Sequence, residues 1–227
     1  MQIALDATRA SHGPAASLLA GARLLHPSSE PQPGAARSFE KGAAVFAEGD
    51  PATAFYKVVS GAVRTSQLLS DGRRQIDAFH LPGDIFGIES GARHLFSAEV
   101  VEDATLIAYR GRCLDALAIA DADLARQIVA AMIRSLERAR AHLLLLGRKT
   151  ALERIATFLL DLSARLPDVE HIDLPMSRMD IADHLGLTIE TVSRLLTQLD
   201  RDGVIEVSAQ RRSIILRDRA ALRRLGT

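Results

Sequence analysis

Between Asp121 and Gly147 the chain contains neither glycine nor proline, and alanine, leucine, arginine and glutamate dominate. Good helix formers without a breaker predict one helix about seven turns long. Val129, Met132, Leu136, Ala139, Leu143 and Leu146 recur there at alternating spacings of three and four. That is a heptad-like seam, the pattern of two helices lying side by side. The same spacing also fits a helix packed only on its own domain. Ile128, Leu144 and Leu145 fall outside the seam. A helix with two apolar stripes needs two neighbours, so one stripe is expected to face its own domain and the other a second copy of the chain.

The flanks of this helix differ in texture. Residues 1–37 are rich in Ala, Ser, Gly and Pro and read as an extension with a short helix around Ser17–Leu25. From Phe39 to Tyr109, short β-branched and aromatic runs alternate with the turn signals Gly49-Asp50, Ser60-Gly61, Asp71-Gly72 and Pro82-Gly83-Asp84. Spacing of about ten residues between turns is the signal of an all-β sandwich or roll. After the long helix, Leu152, Ile155, Ala156, Leu159 and Leu160 mark a second helix, Thr150–Arg165, closed by Pro167. An all-helical stretch should follow, then two short strands, Val204–Val207 and Ser213–Leu216, around a basic turn, and a terminal helix Arg219–Leu225. The expected fold class is α+β. Residues 1–37 form an extension, 38–120 a β-roll, 121–148 a dimerisation helix, and 149–227 a winged helix-turn-helix domain.

Function is concentrated in the segment Ser177–Leu199. Ser177 can cap a helix whose third residue, Asp180, completes a capping box. Ile181, Ala182 and Leu185 give its apolar face, and Gly186 can adopt the left-handed conformation that stops it. Thr188 then caps a second helix carrying Val192, Leu195, Leu196 and Leu199 inward. Two short helices joined at a glycine make a helix-turn-helix. Ile189, Glu190, Ser193 and Arg194 fall on the outward N-terminal face, where a recognition helix meets base edges. Arginine donates in pairs to guanine, glutamate accepts from cytosine, and serine does either. Arg178 and Thr188 at the helix starts, and Arg211 and Arg212 at the basic turn, are candidate DNA contacts, the last two to phosphate.

Charge does not advertise this role. The 227 residues carry 28 basic and 28 acidic side chains, and residues 151–227 alone carry 11 and 12. Only the tail from Val207 onward is basic, with Arg211, Arg212, Arg217, Arg219, Arg223 and Arg224 against Asp218. Binding is therefore expected to rest on a few placed arginines. The single cysteine, Cys113, excludes an intrachain disulfide framework and a Cys₃ or Cys₄ metal site. It points to a reducing, cytoplasmic setting. No apolar run approaches the roughly 20 residues that span a bilayer, so no membrane association is expected.

Taken together, the turns of the β half and Glu190-Thr191-Val192-Ser193-Arg194 resemble the CRP/FNR family of bacterial transcription regulators. The turns run in the family's order: Glu48-Gly49-Asp50, Phe55–Val63, Asp71–Ile76 and Leu81–Gly87. The Glu-x-x-Ser-Arg form and the stretch Leu187–Arg194 look closest to the FixK-like branch. The resemblance implies a cyclic-nucleotide-binding-like roll and a homodimer joined through the 121–146 helix. It also implies a palindromic TTGAT-N4-ATCAA-like site, contact with RNA polymerase, and activation in low-oxygen or nitrogen metabolism. Cyclic-nucleotide binders of the family use Phe-Gly-Glu and Arg-Ser; here Phe86-Gly87-Ile88-Glu89 and Phe96-Ser97 stand instead, and the cationic phosphate partner is lost. One cysteine cannot hold an iron–sulfur cluster. His80, His94 and Cys113 are conceivable haem ligands, but a histidine near a β-turn is expected to be exposed. No cofactor is expected. Cys113, beside Arg110 and Arg112, is a candidate redox thiol. A roll of this type also resembles cupin enzymes, yet no His-x-His pair exists, so an enzyme is not expected. The alternative is a ligand-sensing or interaction protein that keeps a degenerate helix-turn-helix.

Overall fold

The computed structural model describes residues 34, 36–110, 122–166, 168, 170–208 and 213–226. The short helix at 17–25, Cys113, Pro167, Arg211 and Arg212 lie outside the described residues. The first strand, β1 (Ala36–Phe39), starts two residues inside the segment read as an extension. With β2 (Ala44–Phe46), β3 (Ala54–Leu68), β4 (Arg74–His80), β5 (Ile85–Phe86) and β6 (Ser97–Arg110) it builds a six-stranded antiparallel sheet. The path runs β1-β6-β3-β4, with β2 paired to β6 and β5 to β3.

Three of the four turn signals end strands as expected, but Ser60-Gly61 does not. β3 runs through it for 15 residues, and its register against β6 shifts on both sides of Ser60. Gly61 sits at φ +76°, where a Cβ would lie 2.1 Å from the Asp103 carbonyl oxygen. A glycine in a strand can thus mark a bulge pressed against its neighbour rather than a turn. The bulge lets one long strand curl, which closes the roll around Phe46, Val58, Val63, Phe86, Val100 and Leu106.

The long helix, α1 (Ala122–Arg148), covers the roll with Leu124, Ile128, Ala131 and Leu145 buried. After it come α2 (Ala151–Arg165), β7 (His171–Asp173), α3 (Arg178–Leu185), α4 (Ile189–Arg201), β8 (Ile205–Val207), β9 (Ser213–Leu216) and α5 (Arg219–Leu225). Thr150 caps α2 with Glu153 in a full capping box. The stretch between α2 and β8 was expected to be all-helical, yet β7 pairs with β9 and makes a three-stranded sheet, β7-β9-β8. Its alternation covers only three residues, with Ile172 buried between exposed His171 and Asp173, too short a pattern to mark a strand. One core then runs from Ala62, Ile76 and Phe79 of the roll through Leu145 and α2 to Leu196, Ile214 and Leu222.

Candidate nucleic-acid interface

The helix-turn-helix is assembled by its caps. Ser177 accepts from the Asp180 amide at 3.1 Å, and Asp180 accepts from the Ser177 amide at 3.0 Å and hydroxyl at 2.7 Å. Gly186 stops α3 at φ +63°, and its amide and that of Leu187 both donate to the Ala182 carbonyl. A Cβ there would meet only ordinary contacts at 3.5 Å, so the conformation rather than crowding calls for glycine. Thr188 caps α4 by accepting from the Thr191 amide at 3.2 Å.

α4 buries Val192, Leu195, Leu196 and Leu199. At 100° per residue the opposite stripe is Glu190, Arg194, Thr197 and Arg201, and all four are exposed. Ser193 and Ile189 are half-buried on its shoulder, as is Arg178 at the start of α3. Among the described residues neither Glu190 nor Arg194 appears in an ion pair. An acid and an arginine one turn apart, both unspent, are what base-edge recognition requires. Thr197 and Arg201 were missed from sequence, although their spacing from Glu190, seven and eleven residues, continues the stripe. Thr197 turns its hydroxyl back to the Ser193 carbonyl at 2.9 Å.

The position of α3 is fixed by the roll. Asp180, only 4% exposed, also accepts from Arg64 and, at 2.7 Å, from Arg74. Arg74 reaches Asp183 at 2.9 Å through Nε, and Arg64 reaches Glu99 at 2.9 Å. The His184 ring donates from Nδ1 to the Ile76 carbonyl at 3.1 Å, and Gln75 donates to the His184 carbonyl at 3.3 Å. Sequence reading gave Asp180 the cap alone. Its arginine partners lie 106 and 116 residues away, beyond any local pattern.

Much of the basic tail is already engaged. Arg217 donates to Glu206 at 2.9 Å, Arg219 donates to the Ser163 hydroxyl at 2.6 Å, and Arg224 lies 3.9 Å from Asp218. Counting tail arginines against Asp218 alone therefore overstates the charge offered to a polyanion.

Two family models match the chain, a Crp-like helix-turn-helix domain over residues 153–225 and a cyclic nucleotide-binding domain over residues 36–121. The nitrogen fixation regulation protein FixK of Azorhizobium caulinodans is 50% identical over 192 residues, spanning 82% of this chain and 77% of that protein. FixK of Rhizobium meliloti is 43% identical over 183 residues, 81% of this chain and 83% of its own. The chain belongs to the CRP/FNR family of transcription regulators. The solved structure of FixK2 from Bradyrhizobium japonicum superposes with a TM-score of 0.79 at 48% identity, covering 85% of this chain and 97% of that one. A CRP/FNR regulator with a helix-turn-helix of this form is a DNA-binding protein and not an enzyme.

The effector side of this CRP/FNR regulator departs from a phosphate site. Between the roll and α1 lies a cavity of about 360 Å³ lined by Phe46, Thr65, His80, Phe86, Glu89 and Ser135 among others, and among the described residues no arginine or lysine lines it. Ser97 is turned to the Glu48 amide at 2.9 Å, and Glu89 accepts from the Leu95 amide at 3.2 Å. Both histidines expected to be exposed are buried, His80 at 6% and His94 at 3%. His80 bonds Thr65 at 3.0 Å and stacks on Phe86, while His94 stacks on Phe46 with ring centres 3.6 Å apart. These aromatic faces, Phe86 from the next strand and Phe46 from a distant one, bury imidazoles that the sequence places only beside turns. Burial pushes His80 down to about 4. Among the described residues no group of three or more His, Cys, Asp or Glu side chains is placed to hold a metal. No described helix is long and apolar enough to cross a membrane.

On α1, the seam residues Val129, Met132, Leu136 and Leu143 are 46–71% exposed, Ala139 is exposed, and Leu146 is half-buried. Ile128 and Leu145 turn to the core, whereas Leu144 joins the exposed side at 65%.

Proposed function

We propose that the chain acts as a homodimer, joined by Val129, Met132, Leu136, Ala139, Leu143 and Leu146 of α1, on a palindromic TTGAT-N4-ATCAA-like site. The unspent pair Glu190 and Arg194, on the face of α4 opposite its buried stripe, carries this reading. Arg194 donates in pairs to guanine and Glu190 accepts from cytosine, with Ser193 and Ile189 beside them. Thr188, Arg178, Arg211 and Arg212 contact phosphates and fix the register. Two-fold symmetry sets the two recognition helices about 34 Å apart, one turn of DNA. A continuous apolar stripe left exposed on a long helix supports a partner of the same kind.

The domain plan is a roll at 38–120, a dimerisation helix at 121–148 and a winged helix-turn-helix at 149–227. In the cytoplasm the dimer activates transcription through contact with RNA polymerase. The relatives named for nitrogen fixation regulation support a role in nitrogen or low-oxygen metabolism. A roll cavity that no arginine or lysine lines among the described residues supports regulation without a cyclic nucleotide. A mobility shift tests the base-reading claim: the TTGAT-N4-ATCAA duplex should be retained and a scrambled duplex released at the same salt. Equal binding to both would favour the ligand-sensing or interaction protein with a degenerate helix-turn-helix.

A further inference from the structure

A second cavity, of about 440 Å³, lies where β4, α1, α2 and α3 meet. Its inner wall is apolar, made of buried Phe79, Leu145, Phe158 and Leu162. α1 supplies Arg134, Arg138 and His142, which at 100° per residue point well away from the seam at Leu136 and Leu143. These three side chains stay off that seam, although Ala139 of the seam also lines the cavity, which adjoins the one between the roll and α1 along Asp77, Ser135 and Ala139.

Three observations define what it would take. His142 Nε2 is buried with no hydrogen-bond partner among the described residues, while its ring stacks on His184 at 4.2 Å. Arg134 is exposed and appears in no ion pair among the described residues, and Arg138 reaches only Asp84, at 3.6 Å. The third arginine, Arg165, is spent on Asp84 and the Phe79 carbonyl. Of the acids, Asp161 faces Arg165 at 3.5 Å, Asp77 accepts from the Thr65 hydroxyl at 3.4 Å, and Glu137 is exposed. Burial pushes the Asp77 carboxyl up, against His142 and the Thr65 hydroxyl, which favour its charge. The volume falls in the range of about 300–1,000 Å³ that small organic ligands occupy.

We propose that this cavity binds a small organic anion with an apolar body. The body lies on Phe79, Phe158 and Leu162, the anionic group meets Arg134 and Arg138, and a hydrogen-bonding group faces His142 Nε2. His184 and Leu185 of α3 also line the cavity, so the occupant touches the helix-turn-helix and the roll strand β4 together.

The test uses the full chain and three probes of one shape: 2-naphthoate, 2-naphthylmethanol and 2-naphthylmethylammonium. Calorimetry should show naphthoate binding at least tenfold tighter than the other two, and the imidazole signals of His142 and His184 should shift on its addition. Arg134 and Ala141 are exposed, so their variants keep the fold. Arg134→Glu should abolish the preference for naphthoate, and Ala141→Phe should block all three by filling the mouth. Equal binding of the three probes, no binding at millimolar concentration, or naphthoate binding unchanged in both variants would each overturn the proposal.

Discussion

At the scale of single residues, the molecule depends on groups that serve two purposes. Asp180 caps α3 and also neutralises Arg64 and Arg74 across the roll. Asp180→Ala should remove the cap and one partner each of Arg64 and Arg74, which keep Glu99 and Asp183, costing about 2–4 kcal/mol in urea unfolding. A loss below 1 kcal/mol would show that the cluster is solvated in solution. His80 and His184 are both pushed down to about 4, by burial first and for His184 next by His142. Their ordinary value is 6.5, so the unfolded chain takes up protons before the fold does. The stability they contribute is fully present above pH 6.5 and lost as pH falls toward 4, by up to about 3 kcal/mol each. His184→Gln should flatten part of that decline in urea midpoints between pH 7 and 5. An identical profile in the variant would contradict the assignment.

At the scale of elements, what could be read from sequence was what local chemistry dictates. The caps Ser177, Thr188 and Gly186 act within three or four residues, and each does what its type predicts. The long helix was legible because twenty-five residues without a breaker leave little alternative. Ser60-Gly61 was misread because a glycine beside a small polar residue signals a turn and a bulge alike, and the Asp103 carbonyl of a distant strand decides between them. β7 gained strand character only from pairing with β9, and the burial of His80 and His94 came from aromatic rings on other strands. The seam of α1 carries its own prediction. Leu136→Glu with Leu143→Glu should give a monomer in sedimentation at micromolar concentration without loss of helix content. Since both side chains are more than half exposed, a dimer that persists in this variant would place the interface elsewhere.

At the scale of the whole molecule, neutral net charge and DNA binding are compatible because charge is placed rather than spread. The structure sharpens this: Arg217, Arg219 and Arg224 are partly committed within the fold, leaving few tail arginines for phosphate. Non-specific binding should accordingly be weak, and the slope of log affinity against log salt should reflect fewer than about ten phosphate contacts per dimer. A steeper slope would mean a basic surface that the arrangement of the described residues does not provide. On the proposed reading specificity falls on α4, where one bidentate arginine contact would be worth about 1–3 kcal/mol and a dimer would double it. The most direct test measures binding of the intact protein and of Arg194→Ala to a TTGAT-N4-ATCAA duplex and to its scrambled counterpart at fixed salt. The intact protein should prefer the palindrome by at least a hundredfold, and Arg194→Ala should lose most of that preference while keeping its weak affinity for the scrambled duplex. An intact protein that binds both alike, or a variant that discriminates as well as the parent, would contradict base reading by this helix.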